Sequence, residues 1–263
     1  MSEIAADQAT RWRMLLDALA AHQRLSVAEA SELLGVSAAT VRRDFTELAR
    51  QQLATRTHGG VVATSVAYDL PARYRITTDD PRERIAREAA LRVEPRSVIA
   101  FNGGTTTSAV ARHLASRVDL QSGFDAVTIV TNALNIASEM VLRPSIRTVV
   151  IGGVARPESY ELHGPFASRV LADLLVDQLF LGVDGLTAHE GASCSHLGES
   201  GINSEMVGKA QKVTVVAAAD KLGKVTLARI CGIDQIQALV TDSSADETVV
   251  AQLRDAGVDV TLV

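Results

Sequence analysis

The segment from Leu34 to Gly60, LGVSAATVRRDFTELARQQLATRTHGG, leaves few local folds open. Ahead of it, Trp12, Leu15, Leu16 and Leu19 recur at helical spacing, and Leu25-Ser26-Val27 interrupts that helix. A second helix is predicted over about 27–34, with Ala30, Leu33 and Leu34 apolar. Gly35 ends it, because glycine adopts the left-handed C-terminal conformation at low cost. Ser37 can cap a third helix by accepting from a free backbone N–H. Helix, short glycine turn, helix is the helix-turn-helix pattern. On the third helix Val41, Phe45 and Leu48 form one stripe that must face a core. Arg43 then lies on the opposite side, with Ala39, Thr46 and Arg50 near it and Arg42 and Thr40 flanking. A face that is small at its start and cationic further on suits a helix entering the DNA major groove. The alternative is an ordinary solvated helix face; the capped turn before it favours DNA.

Leu53–Thr57 and Val61–Thr64 read as two short strands, with His58-Gly59-Gly60 as a tight hairpin between them. A hairpin directly after a recognition helix is a wing. Arg56 and His58 are expected where a wing meets the sugar-phosphate backbone or minor groove.

Charge supports the division. The 263 residues carry 26 basic and 31 acidic side chains, a formal charge of −5. Residues 1–62 hold seven of each sign, so the deficit lies in the remainder, and within 37–60 four arginines face only Asp44 and Glu47. A basic segment on an acidic protein is what a phosphate-binding module needs. Apolar residues make up 47% but aromatics only 3%, so aliphatic side chains fill the core, as in buried parallel sheets. No apolar run reaches the ~20 residues of a membrane helix, and the N-terminus lacks a signal-peptide core, so a cytoplasmic location and no membrane partner are expected. The two cysteines, Cys194 and Cys231, read as reduced thiols. His189, Cys194 and His196 lie close in HEGASCSH, but without standard zinc spacing; a polar loop is favoured over a metal site.

The expected domains are a winged helix-turn-helix at 1–63, a linker at 64–80 containing Tyr68, Pro71 and Tyr74, and an α/β domain at 81–263. Pro81 suits the first position of a helix after Asp80. Strands are predicted at Ser97–Phe101, Val127–Val130, Arg147–Ile151, Gln178–Val183, Lys212–Ala217, Ala238–Thr241 and Val258–Val263. Helices are predicted near 105–117, 133–142, 163–175, 199–210 and 245–256. Such alternation argues for a mainly parallel sheet covered by helices.

Polar residues fall at the ends of these strands. Asn102-Gly103-Gly104-Thr105-Thr106-Thr107 joins a strand to a helix, where free amides and hydroxyls can hold an anion. It is neither a Walker A loop nor a G-x-G-x-x-G fingerprint. Asn132, Gly153, Asp184 and Lys221 occupy comparable places after later strands. In open α/β sheets such ends line the ligand crevice. The set suits a small phosphorylated sugar or polyol: the helix start and Lys221 neutralise phosphate, Asp184 and Asn132 bind hydroxyls.

VSAATVRRDFTELARQQLATRTHGGVV resembles the N-terminal signature of the deoxyribose-operon repressor (DeoR) family of regulators. NGGTTT, VTN, IGG, FLGVDG, ESGINSEM and ADKLGK resemble its sensor domain, so the likeness covers about residues 9–245. It implies that Ser37, Ala39, Thr40, Arg42 and Arg43 face DNA. It also implies a sensor domain similar to ribose-5-phosphate isomerase and action as a repressor. Glu199 and Asn203 match the family's Glu-x-x-x-Asn stretch, and Lys221 its Ser-Lys. Asn102 and Ala218 stand where the family often has Asp, which casts doubt on isomerase-like chemistry.

The expectation is therefore a sequence-specific regulator. It would bind double-stranded operator DNA as a homo-oligomer (dimer or tetramer) and answer to a phosphorylated sugar or polyol. No catalytic residue, cofactor or metal is assigned. One alternative is a sugar-phosphate isomerase with a DNA-binding appendage, using Asp184 or Glu199 as base. Another is a constitutive DNA-binding protein whose α/β domain only oligomerises.

Overall fold

The computed structural model describes residues 8–22, 24–50, 54–63, 80–120 and 126–263. The chain divides into two compact units, 1–69 and 70–263. The expected linker, with Tyr68, Pro71 and Tyr74, lies outside the described residues apart from Asp80, as do Leu53 and Thr64.

The first unit runs α1 (Gln8–His22), β1 (Arg24–Ser26), α2 (Val27–Leu34), α3 (Ala38–Arg50), β2 (Ala54–Thr57) and β3 (Gly60–Ala63). Its core is the expected one: Val41, Phe45 and Leu48 of α3 are buried against Leu15, Leu19, Ala30 and Leu34. Ser26 opens α2 with a reciprocal capping box. The Glu29 amide donates to Ser26 Oγ at 3.2 Å, and the Ser26 amide donates to Glu29 Oε2 at 2.7 Å. Gly35 ends α2 at φ 63°, and Ser37 Oγ accepts the Thr40 amide at 3.3 Å.

One sequence reading needs correction here. The interruption at Leu25 is a strand: β1 pairs antiparallel with β3, and the sheet runs β1-β3-β2. This explains why two glycines follow one another. Gly59 turns the hairpin at φ 111°. Gly60 pairs with Ser26, and a Cβ there would stand 2.4 Å from the Leu25 carbonyl oxygen. The first glycine serves the turn and the second the close approach of β1.

α1 is joined to α3 by a buried ion pair. Arg11 Nε and Nη2 donate to the two Asp44 carboxylate oxygens at 2.8 and 3.1 Å, and Trp12 Nε1 adds a bond at 3.2 Å. Asp44 is only 3% exposed.

The second unit opens with α4 (Pro81–Leu91), capped by Asp80. It continues through β4 (Val98–Phe101), α5 (Thr105–Ala115), β5 (Val127–Thr131), α6 (Leu134–Met140), β6 (Ile146–Val150), β7 (Val154–Ala155), β8 (Leu162–His163), α7 (Pro165–Ala172) and β9 (Val176–Leu181). Then follow β10 (Gly185–Thr187), β11 (Gly191–Cys194), α8 (Leu197–Lys209), β12 (Ala210–Val216), β13 (Ala228–Cys231), β14 (Ala238–Thr241), α9 (Glu247–Asp255) and β15 (Asp259–Leu262). The seven predicted strands form one sheet in the order β15-β14-β12-β9-β4-β5-β6, and every neighbouring pair is parallel. Alternate residues of β4 serve opposite faces. Ile99 and Phe101 join a core with α4, α5 and α6, whereas Ala100 joins one with α7, α8 and α9. The five predicted helices of this unit are present as α5 to α9. The small pairings β7-β8 and β10-β11-β13 were not anticipated.

No helix among the described residues is long and apolar enough to cross a membrane.

Asp44→Ala removes the carboxylate but leaves the Arg11 guanidinium at its inner site. Breaking a buried pair in this way costs about 3 kcal/mol. Trp12 is the chain's one tryptophan, so its fluorescence reports unfolding of the first unit alone. The unfolding free energy extrapolated from its urea curve should fall by that amount, while far-UV signal from the second unit melts as in the parent.

Candidate functional site

Two surfaces carry chemistry, one on each unit. On the first, Ser37, Ala39, Arg42 and Arg43 are exposed, opposite the buried stripe of α3. Thr40 is half-buried, its hydroxyl 3.0 Å from that of Ser37. Arg56 of β2 reaches α3, donating through Nη1 to Thr46 Oγ1 at 2.7 Å, and Thr46 lies one turn beyond Arg42. His58 is exposed in the hairpin turn. The two acids of α3 are both engaged: Asp44 by Arg11, and Glu47 by Arg50, whose Nε lies 2.9 Å from Oε2. The outward charge of α3 is therefore more positive than its composition suggests.

On the second unit, strand order reverses between β4 and β9. From β4 the chain builds outward through β5 and β6, then returns to add β9, β12, β14 and β15 on the other side. A crevice opens at such a switch point beyond the carboxyl ends of the strands. Here it is a cleft of about 710 Å³, walled by the loops after β4, β9 and β12.

The seam is held by Asn102. Its Nδ2 donates to the Gly182 carbonyl at 2.9 Å, and its Oδ1 accepts the Gly182 amide at 2.8 Å. An aspartate could not donate to that carbonyl, so the asparagine at this position has a structural task.

Beyond Asn102, α5 begins at Gly104 without a side-chain cap, and Gly104, Thr105 and Thr106 line the cleft. Lys221 and Arg82 line the cleft as well. The other cluster is acidic. Glu161, 5% exposed, enters from the turn before β8 and accepts Asn132 Nδ2 at 3.0 Å, Asn203 Nδ2 at 3.5 Å and the Gly103 amide. It lies so close beneath Gly103 that a Cβ there would stand 2.2 Å from Glu161 Cγ. Burial, reinforced by the neighbouring Glu199 charge, pushes its carboxyl up to about 7. Glu199 is held by Arg156 Nη1 at 2.8 Å and by the Ser159 hydroxyl. Asp184 accepts the Ser195 amide and hydroxyl at 2.9 and 2.8 Å.

Of the residues read from sequence as ligand contacts, Asn102, Gly103, Gly104, Thr105, Thr106, Asp184, Glu199 and Lys221 line the cleft. Three stand elsewhere. Thr107 is buried, its hydroxyl bonded to the Gly104 carbonyl at 3.1 Å. Asn132 is buried beneath Glu161 and orients it. Gly153 packs on β8, where a Cβ would meet the His163 carbonyl oxygen at 2.6 Å. Sequence reasoning missed Arg82, Arg156, Ser159 and Glu161. The last three sit in RPESYELHG, which has no helical or strand periodicity to place it.

Among the described residues no group of three or more His, Cys, Asp or Glu could hold a metal ion. The members of HEGASCSH have separate tasks. His189 is exposed beside Glu190, His196 caps α8, and Cys194 is a buried thiol that desolvation pushes up to about 11.

Residues 11–66 match the DeoR-like helix-turn-helix domain, and residues 78–243 the DeoR C terminal sensor domain. The chain is 30% identical over 254 residues to the HTH-type transcriptional regulator GlpR of Haloferax volcanii, covering 96% of each chain. It is 28% identical over 232 residues to the glycerol-3-phosphate regulon repressor of Escherichia coli K12, covering 88% of this chain and 89% of that one. Among solved structures, ribose 5-phosphate isomerase A from Methanocaldococcus jannaschii aligns with 56% of this chain and 55% of its own, at 18% identity and a TM-score of 0.39.

Glu161 generates a pH prediction. In the folded chain it keeps its proton to about pH 7, against an ordinary 4.5. Between those values the folded state binds more protons than the unfolded one, so this group's contribution to stability falls as pH rises. Glu161→Gln removes that slope. From about pH 5 to about pH 7.5 the parent should lose about 2–3 kcal/mol relative to the variant, read from paired denaturation curves.

Proposed function

The chain belongs to the DeoR family of transcriptional regulators, and from that membership we propose that it represses a carbohydrate-utilisation operon under the control of a phosphorylated sugar or polyol. It is a regulator and not an enzyme: the curated relatives are named as regulators and repressors. The observation that carries the DNA-binding half is the exposed pair Arg42 and Arg43, opposite the buried stripe, on a helix whose acids are already paired. Small Ser37 and Ala39 let the start of α3 approach base edges, and Arg56 and His58 meet the adjoining backbone. A homo-oligomer reads repeated half-sites in double-stranded operator DNA. Repression, rather than activation, is supported by relatives such as the glycerol-3-phosphate regulon repressor. A cytoplasmic location follows from that role.

The effector half is supported by the cleft at the switch point. Its amide-rich α5 start and Lys221 suit a phosphate; Glu161, Glu199, Asn203 and Asp184 suit hydroxyl groups. An effector moves DNA affinity only through different affinities for the two conformations of the regulator. A constitutive DNA-binding protein is the competing reading. It would show no saturable melting shift with any of a panel of phosphorylated sugars.

Arg43→Ala should weaken operator binding by ~1–3 kcal/mol and relax base preference at one position. Unchanged footprints and affinity would remove Arg43 from the interface. Lys221→Ala should bind operator like the parent but lose the response to effector in a gel-shift titration. A variant that is still fully released would show the phosphate to lie elsewhere.

A further inference from the structure

The loop that leads into α5 rests on a buried carboxyl. Glu161 is 5% exposed, and Gly103 passes so close above it that the loop has no room for a Cβ. The Gly103 amide donates to Glu161, and Gly104, Thr105 and Thr106 follow directly along the cleft wall. The other donors to this carboxyl are the carboxamides of Asn132 and Asn203. All three donors are uncharged. The charged and titratable groups that face it are Glu199 of α8, Cys194 of β11 and, on its own turn, Arg156. Arg156 is already paired with Glu199 and Glu158. His163, two residues on, packs against the His196 ring, with 5.4 Å between centroids.

A separate feature marks this corner of the cleft as a ligand site. Asn203 lines it, is 1% exposed, and its Oδ1 has no hydrogen-bond partner. A buried acceptor in that state calls for a donor. Burial and the Glu199 charge outweigh the three neutral donors, so Glu161 is neutral below about pH 7 and ionised above it. Ionisation places a negative charge directly under the loop.

We propose that Glu161 is a proton gate on this cleft: neutral, it admits an anionic group at the start of α5, and ionised, it repels one. The gate rests on the effector reading and adds to it a dependence on pH. Glu161 is removed from water, so its charge is little screened, and one residue separates the Gly103 amide it accepts from Gly104. Anion affinity is therefore fully present below about pH 7 and lost as pH rises through that value. By reciprocity, an anion that binds near neutral pH draws a proton from solvent onto Glu161. Acidification makes the regulator more responsive to the same concentration of effector.

Sulfate is the probe, because it is a tetrahedral dianion that does not itself titrate in this range. The full chain is titrated with sodium sulfate at steps from about pH 6 to about pH 8. Binding is read from the NMR shifts of the Gly104 and Thr105 amides, which distinguish the cleft from the cationic face of α3. Parent affinity should fall about tenfold across the range. Glu161→Gln, neutral throughout, should bind as the parent does at low pH and show no fall. Glu199→Gln keeps the gate but removes the charge that holds its proton, so the fall should move to lower pH. That variant decides the matter if Glu161→Gln does not fold. Affinity in the parent that does not change with pH, a fall that persists in Glu161→Gln, or a fall in Glu199→Gln at the parent's pH overturns the proposal and leaves the effector site standing. Amides that sulfate does not move at any pH overturn it as well, and take the anion end of the effector reading with them.

Discussion

Two hydrogen bonds between Asn102 and Gly182 close the seam on which the second unit depends. β4 and β9 are neighbours in the sheet but are separated in sequence by two complete strand-helix passages. The loops that follow them must diverge, and without a tie the crevice between them would expose backbone groups at the sheet's end. Asn102 satisfies both the carbonyl and the amide of Gly182. It thereby ties the loop after β4 to the loop after β9. A carboxamide donates from its nitrogen and accepts at its oxygen, so one side chain satisfies both groups.

The cleft is not an open basic pocket. Its lining holds Asp80, Glu158, Glu161, Asp184, Glu199 and Asp220 against Arg82, Arg156 and Lys221. Each of the three cations is already matched to a carboxylate, and Glu161 relieves part of the excess by keeping its proton. The same logic governs α3. There Asp44 and Glu47 are satisfied within the unit, by Arg11 and Arg50, so Arg42 and Arg43 present their charge outward.

Much of this was legible in the chain. The stripe Val41, Phe45, Leu48 and the capped turn before it fix which side of α3 is buried, because a 3.6-residue period admits one answer. Predicted strands and helices of the second unit fall within a few residues of those found, since apolar strand segments alternate with helix-period segments along this part of the chain. The cleft residues that follow strands directly, Asn102 to Thr106, Asp184 and Lys221, were legible for the same reason: strand ends converge in a parallel sheet. Three-residue β1 and two-residue β7 and β8 were not, because so short a segment carries no period and is held by its partner strand.

The sequence by itself determined the two architectures, the buried and outward faces of α3 and most of the strand-end loops that line the cleft, all of which rest on local spacing. Only tertiary structure decided how charge is shared. Arg11 finds Asp44 across 33 residues, Arg156 finds Glu199 across 43, and Glu161 is pressed under Gly103. Such pairings depend on how strands and helices are brought together, and no period along the chain records them. Thr107, Asn132 and Gly153 show the same limit from the other side: a strand-end position brings a residue near the crevice, and packing decides whether it faces the ligand or supports the wall.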